Sequence, residues 1–249
     1  MTHKWIAAYI YYSGDLNLLI TDYLSPFINQ YKHLLNQWFF IRYPEGGDHI
    51  RLRMNTIHED EIKQHLVLEN ILIKYFPYEP ETERYANIRL AEQHFAVSSE
   101  VIMEWICKKR GAAQIQAIRL HLLFLLSTAW PPERLLSLCE YFINDWLQIF
   151  RAKGMKERFR IAFEPQKETL FDATKVLWNT AGREQYFKKN KDIMSAYNAG
   201  GYTAQQLTIA FSSMMHMTHN RLGIENMEEA YIMYCTQACL ANILSHEHH

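Results

Sequence analysis

The stretch WFFIRYPEGGDHIRLRM, residues 38–54, holds two extended runs and a turn. Trp38 to Tyr43 is aromatic and β-branched, the composition of a strand. Pro44 to Asp48 places Gly46 and Gly47 where a hairpin connection needs backbone freedom. From His49 onward, Ile50, Leu52 and Met54 alternate with His49, Arg51 and Arg53. A period of two puts the apolar groups on one face of a strand and the potentially cationic groups on the other. Like charges at this spacing repel, so a negatively charged partner is expected on that face. The structural alternative is an edge strand whose solvent face is charged against unwanted pairing.

Working outward, KWIAAYIYY (residues 4–12) reads as another strand, and residues 15–35 carry helical spacing through Leu16, Leu19, Ile20, Tyr23 and Leu24. Residues 59–75 begin with acidic groups suited to a helix N-terminus and are expected to be helical. An extended segment around YEPETERYA (residues 78–86) then completes a β-α-β-β-α-β order. The expected fold class is α+β, a small ferredoxin-like sheet lobe followed by a mostly helical lobe. Breaks at Gly111, Pro131–Pro132, Gly154, Pro165, Gly182 and 199–201 predict about six helices after Leu90. The expected lobes are residues 1–89 and 90–249, sharing one interface as one compact unit, with a site drawn from both.

The 249 residues carry 26 Lys+Arg against 27 Asp+Glu, a formal net charge of -1, which argues against broad capture of nucleic acid or an anionic membrane surface. The most apolar run, IRLHLLFLLSTAW (residues 118–130), contains Arg119 and His121 and falls short of the roughly 18 to 20 apolar residues of a membrane span. Cys107, Cys139, Cys235 and Cys239 form no CxxC pair and follow no secretory signal, so reduced core thiols and a cytoplasmic location are expected. The terminal HEHH (residues 246–249) is read as a solvated tail rather than a metal site.

Two further segments hold chemistry-bearing residues. ETERYAN (residues 81–87) contains Glu81, Glu83, Arg84 and Tyr85, with a surface ion pair as the alternative reading. HMTHNRLG (residues 216–223) spaces His216, His219 and Asn220 onto one helix face before Gly223, a candidate helix C-terminus. It lacks the glutamate and third ligand of a zinc helix, and a core histidine is the alternative. No GxGxxG, Walker lysine loop or GxSxG elbow is present.

Taken together and in this order, WFFIRYPEGGDHIRLRM, YEPETERYANIRLAEQHFAVSS and HMTHNRL resemble the elimination domain of class I lanthipeptide dehydratases. That domain also occurs as a separate chain in thiopeptide and split lanthipeptide systems. The resemblance covers most of the chain. It implies expulsion of glutamate from a glutamylated Ser or Thr of a precursor peptide, leaving dehydroalanine or dehydrobutyrine. It carries elimination roles to Arg53, Arg84 and His216, with Arg51, Glu81 and Arg221 as substrate-binding positions; the role of Arg221 in catalysis or in the fold stays open, as does the identity of the Cα base. Tyr85 and the tyrosines of YIYY are further candidates for proton transfer.

No cofactor or metal is implied. The implied partners are the precursor peptide and a separate tRNA-dependent glutamyl transferase, with no direct nucleic-acid contact. One departure stands out: the family's glycine pair after ERY is replaced here by Ala86 and Asn87, which questions the turn geometry around Arg84. The competing readings are a thiopeptide-type pyridine synthase joining two dehydroalanines and a non-catalytic precursor-binding partner.

Overall fold

The computed structural model describes residues 2–109 and 111–247. The chain divides into two compact units, Met1–Glu81 with Ala91–Arg110, and Thr82–Leu90 with Gly111–His249. His248 and His249 of the terminal histidine run lie outside the described residues.

In the first unit, β1 (Lys4–Tyr11) leads through α1 (Leu16–Leu18), a π-helical stretch (Leu19–Leu24) and α2 (Ser25–Tyr31) to β2 (Gln37–Tyr43) and β3 (His49–Thr56). The helix α3 (Glu59–His65) and strand β4 (Leu72–Phe76) complete the β-α-β-β-α-β order. The sheet order is β2-β3-β1-β4, antiparallel throughout, so the ferredoxin-like arrangement holds and β3 is a central strand. A charged edge is therefore not what explains Arg51 and Arg53.

The register makes the alternation of β3 a property of the whole sheet. Ile50, Leu52 and Met54 stand opposite Ile10, Ala8 and Ile6 on one side and Arg42, Phe40 and Trp38 on the other. Apart from Arg42, all of these are buried, and with Leu19, Ile20, Leu24, Ile28 and Ile62 they supply much of the apolar core of this unit. The outer edge of β2 is covered by α4 (Ile88–Cys107), whose Ser99 hydroxyl accepts the Phe40 N–H at 3.2 Å. That contact satisfies a donor an edge strand leaves open.

Two details differ from the reading of the sequence. The helix expected over 59–75 ends at His65, because Leu66 leaves helical angles and Asn70 (φ 60°) turns the chain. The remaining apolar run pairs as β4 with β1, Ile73 opposite Ile10 and Tyr75 opposite Ala8. A short apolar run of this kind suits a strand as well as a helix, and pairing decides it. Residues 78–86, expected to be extended, instead contain a turn.

The second unit is helical: α5 (Ala113–Ser127), α6 (Pro132–Ile149), α7 (Met155–Phe163), α8 (Lys167–Thr180), α9 (Gln185–Ala199), α10 (Ala204–Leu222) and α11 (Met227–Glu247). With α4, eight α-helices follow Tyr85 among the described residues, more than the six expected. Single 3₁₀ turns at Glu164–Gln166 and Ala181–Arg183 are enough to separate helices at Pro165 and Gly182. The helix α5 is apolar nearly all round and packs against α8, α9, α10 and α11, which makes it central to this unit. Among the described residues no helix is long and apolar enough to cross a membrane. Cys139, Cys235 and Cys239 are buried free thiols, whereas Cys107 is exposed.

Candidate functional site

In the first unit, the β3 face opposite the core carries His49, Arg51 and Arg53 among aromatic rings. Cross-strand pairing sets Tyr9 opposite Arg51, Ala7 opposite Arg53, and Tyr43 opposite His49. The Arg51 guanidinium lies 3.2 Å from the Tyr43 ring centre and 4.6 Å from that of Tyr9. Arg53 lies 4.9 Å from the Tyr9 ring and 5.7 Å from the Tyr78 ring, and its Nη2 donates to the Tyr9 hydroxyl at 3.3 Å. These π faces attract the cations without neutralising them.

Only two of the three groups carry charge at neutral pH. Burial pushes the His49 imidazole below its ordinary range, and the nearby arginines act in the same direction. Its Nδ1 meets the Gly47 carbonyl at 2.7 Å, so Nδ1 carries the proton and Nε2 accepts from Arg51 Nε at 3.3 Å. Arg53 is 7% exposed, and burial lowers its pKa. Its Nη1 is fully buried with no hydrogen-bond partner among the described residues. No carboxylate among them forms an ion pair with Arg51 or Arg53. A buried guanidinium with an unfilled donor direction suits an incoming anion.

The second unit brings Arg84 and His216 to one cleft of about 260 Å³, together with Tyr141, Phe142, Asp145, Trp146, Ile149, Ile209, Ser212 and Ser213. Arg84 sits on an exposed turn whose shape is fixed from behind. The Tyr197 hydroxyl reaches the carbonyl oxygens of Tyr85 and Asn87 at 2.9 and 2.8 Å. Asn87 caps α4 by accepting the Leu90 N–H at 3.2 Å and donates to the Tyr202 hydroxyl at 3.0 Å. Ala86 takes φ 56°, the left-handed conformation glycine adopts at little cost. The turn is thus built without glycine, and the three polar side chains hold it.

His216 lies on α10, which starts with a Thr203/Gln206 capping box and ends at Gly223 in the left-handed conformation (φ 76°). The Ile224 N–H returns to the His219 carbonyl and the Gly223 N–H to that of Asn220, the paired bonds that close such an ending. The chain then enters α11 and brings Glu229 back to α10. His216 Nδ1 is 2.8 Å from Glu229 Oε2 and 3.1 Å from Oε1. The indole of Trp146 flanks the same imidazole, with ring centres 5.5 Å apart. Glu229 and its partners on the far side are buried: His219 Nδ1 lies 3.2 Å from Glu229 Oε2, and His219 Nε2 is 2.9 Å from His121 Nε2.

Burial raises the Glu229 pKa, but contacts with His216 and His219 outweigh it and hold the carboxyl ionised, below its ordinary value. The position of Glu229 in the first turn of α11 acts in the same sense. Burial keeps His219 neutral.

Arg221 is wholly buried and does not line the cleft. Its Nη1 donates to the Met217 carbonyl of its own helix at 2.9 Å, and burial brings its pKa down to about 10. Glu81 is an exposed residue at the end of the first unit's leading segment. Arg51 and Arg53 thus share one face of the first unit, and Arg84 and His216 one cleft of the second. Tyr9 belongs to the YIYY run already named as a source of proton-transfer candidates, whereas Tyr43, Trp146 and Glu229 were not singled out by their sequence positions. A concavity of about 660 Å³ along α2 and α4 of the first unit contains none of the expected site residues.

The family described as lantibiotic biosynthesis dehydratase C-term matches residues 5–240. Comparison with curated proteins gives no match. Among solved structures, the pyridine synthase TbtD from thiomuracin biosynthesis superposes with a TM-score of 0.75 at 12% identity, covering 97% of this chain and 99% of that one. The tRNA-dependent lantibiotic dehydratase MibB from Microbispora sp. 107891 gives 0.67 at 17% identity, covering 98% of this chain, which spans 28% of the MibB chain. TsrL gives 0.68 at 14% identity, with 98% and 96% covered. At these identities the likeness is one of fold.

Proposed function

Since this chain belongs to the lantibiotic biosynthesis dehydratase C-terminal family, we propose that it eliminates glutamate from glutamylated Ser or Thr residues of a precursor peptide, leaving dehydroalanine or dehydrobutyrine. The observation that carries the reading is the cationic face of β3, where two arginines have no carboxylate partner among the described residues and Arg53 Nη1 is buried with an empty donor direction.

In the proposed reaction a base removes the Cα proton, the electron pair forms the Cα=Cβ bond, and the Cβ–O bond breaks to release glutamate as a carboxylate. Negative charge develops on the peptide carbonyl oxygen and on the departing carboxylate. Guanidinium groups already fixed in position stabilise such charge without reorganising, typically by a factor of about 10² to 10³ for each donor. Arg51, Arg53 and Arg84 are assigned this work. His216 is assigned proton transfer: with Nδ1 bonded to Glu229, its Nε2 is the ring atom left to take a proton.

Glu81 is assigned to the glutamyl ammonium group and Arg221 to the scaffold beneath the HMTHNRL helix. The description of MibB as tRNA-dependent supports a tRNA-dependent glutamyl transferase as the proposed source of the ester. The reaction is proposed to be cytoplasmic, a compartment in which free thiols such as Cys139, Cys235 and Cys239 stay reduced.

The fold likeness to TbtD gives the second reading, a pyridine synthase. That reaction starts from dehydroalanines and expels no glutamate, so it has less use for two arginines on a partner-free strand face. Reconstitution with precursor peptide, glutamyl transferase, tRNA, glutamate and ATP tests the choice. Dehydration should require both proteins, and Arg84→Ala should accumulate esterified peptide. Dehydration without this chain, or cyclisation of an already dehydrated peptide by it, would overturn the elimination reading.

A further inference from the structure

His216 is not an isolated imidazole. Behind it runs a buried line of groups from three helices: Glu229 on α11, His219 on α10 and His121 on α5, all 2% exposed or less. Both His216 Nδ1 and His219 Nδ1 converge on Glu229 Oε2, at 2.8 and 3.2 Å. The first is an aligned hydrogen bond, whereas the second contact is off-axis and electrostatic in character. An ionised carboxylate only accepts, so each facing ring nitrogen is favoured as N–H. His219 Nε2 is then a lone pair, and His121 Nε2–H donates to it across 2.9 Å. This set of tautomers is consistent with the His216–Glu229 and His121–His219 contacts.

Resting on the elimination reading, we infer that Glu229 is the positioning residue of His216: it holds Nδ1 as the donor, and thereby keeps Nε2 deprotonated and available for the Cα proton. Without a fixed acceptor at Nδ1 a neutral imidazole distributes its proton over both nitrogens, and every molecule with the proton on Nε2 is useless as a base. The His219–His121 pair supports the carboxylate from the opposite side. His219 Nδ1 lies 3.2 Å from the carboxylate and adds a favourable electrostatic contact where the protein interior would otherwise favour a protonated, uncharged Glu229. Trp146 closes one side of His216 and restricts ring rotation.

The amide variant separates this role from packing. Glu229→Gln has nearly the same shape, but it removes the charge that both imidazoles face, and its NH₂ group favours the opposite tautomer of whichever ring it faces. In ¹⁵N-histidine-labelled protein, with the His216 signals identified by their loss in His216→Gln, long-range ¹H–¹⁵N correlation reads the tautomer directly without substrate. The wild type should show His216 as the Nδ1–H form, and Glu229→Gln should lose that preference. In elimination assays on glutamylated peptide, Glu229→Gln should lower kcat by about 10²-fold, with KM changing less than threefold. Glu229→Asp, which keeps the charge, should retain the tautomer and recover part of the rate.

A wild-type His216 in the Nε2–H form would overturn the inference whether or not Glu229→Gln folds. So would a Glu229→Gln protein that keeps both tautomer and kcat. A wild type that has the expected tautomer but releases no glutamate would leave the orientation standing and refute the elimination reading instead.

Discussion

Replacing Arg53 with Met is expected to make the protein more stable and less active. In the folded state Arg53 gains one long hydrogen bond to Tyr9, 3.3 Å, and ring contacts at 4.9 and 5.7 Å. A charged hydrogen bond contributes at most about 1.5 kcal/mol at this length, and the two ring contacts roughly 0.5–1 kcal/mol each. Against this, the unfilled Nη1 costs about 1–3 kcal/mol, and removing the guanidinium from water costs several kcal/mol more. Met fills similar space without either cost. Such replacements are neutral or stabilising by up to about 4 kcal/mol. A net gain near 1 kcal/mol raises Tm by about 2–4 °C in a chain of this size. Calorimetry reads the Tm, and mass spectrometry of glutamylated peptide reads the elimination rate, which should fall at least about 10²-fold. A variant destabilised by more than about 1 kcal/mol that still eliminates at the wild-type rate would refute the reasoning that Arg53 is held at a cost for its charge.

Ala86→Gly should stabilise the fold by up to about 1 kcal/mol in urea melts, because φ 56° strains any residue with a Cβ; a loss above about 0.5 kcal/mol would mean the turn is not left-handed. Stability should also decline as pH falls. His49 and His219 have folded pKa values below the ordinary 6.5, so their contribution is complete above 6.5 and shrinks below it, as protons bind the unfolded chain first. Glu229, lowered from 4.5, adds a second loss below that value. Melts at pH 7.5 and 5.5 should differ accordingly, less so in His219→Gln, and equal stability at both would contradict the neutral burial of these histidines.

How far the sequence carries depends on the range of the interactions. The β2–β3 hairpin was legible because alternation and turn glycines lie within 17 consecutive residues, 38–54. Strand β4 was not, because Leu72–Phe76 satisfies helix and strand patterns equally until β1 is present to pair with it. Likewise the charge of β3 was legible, but not which of its groups stay charged. His49 loses its charge through burial and the repulsion of Arg51 and Arg53, which outweigh its bond to the Gly47 carbonyl, and an alternating pattern does not show that balance. The loss of glycine after Arg84 suggested an altered turn. Instead Tyr197, more than a hundred positions away, anchors Ala86 in the glycine-like conformation. Glu229 lies one turn into the next helix, with no helical spacing to tie it to His216, and only the reversal at Gly223 makes them neighbours.

The most direct test supplies the purified protein with a peptide already carrying a glutamyl ester on one Ser, without ATP, tRNA or a transferase, and follows the peptide mass. Elimination predicts release of one glutamate and a product lighter by one water than the unmodified peptide. An ester that persists as it does in buffer alone, or that only reverts to unmodified serine, would contradict the proposed function.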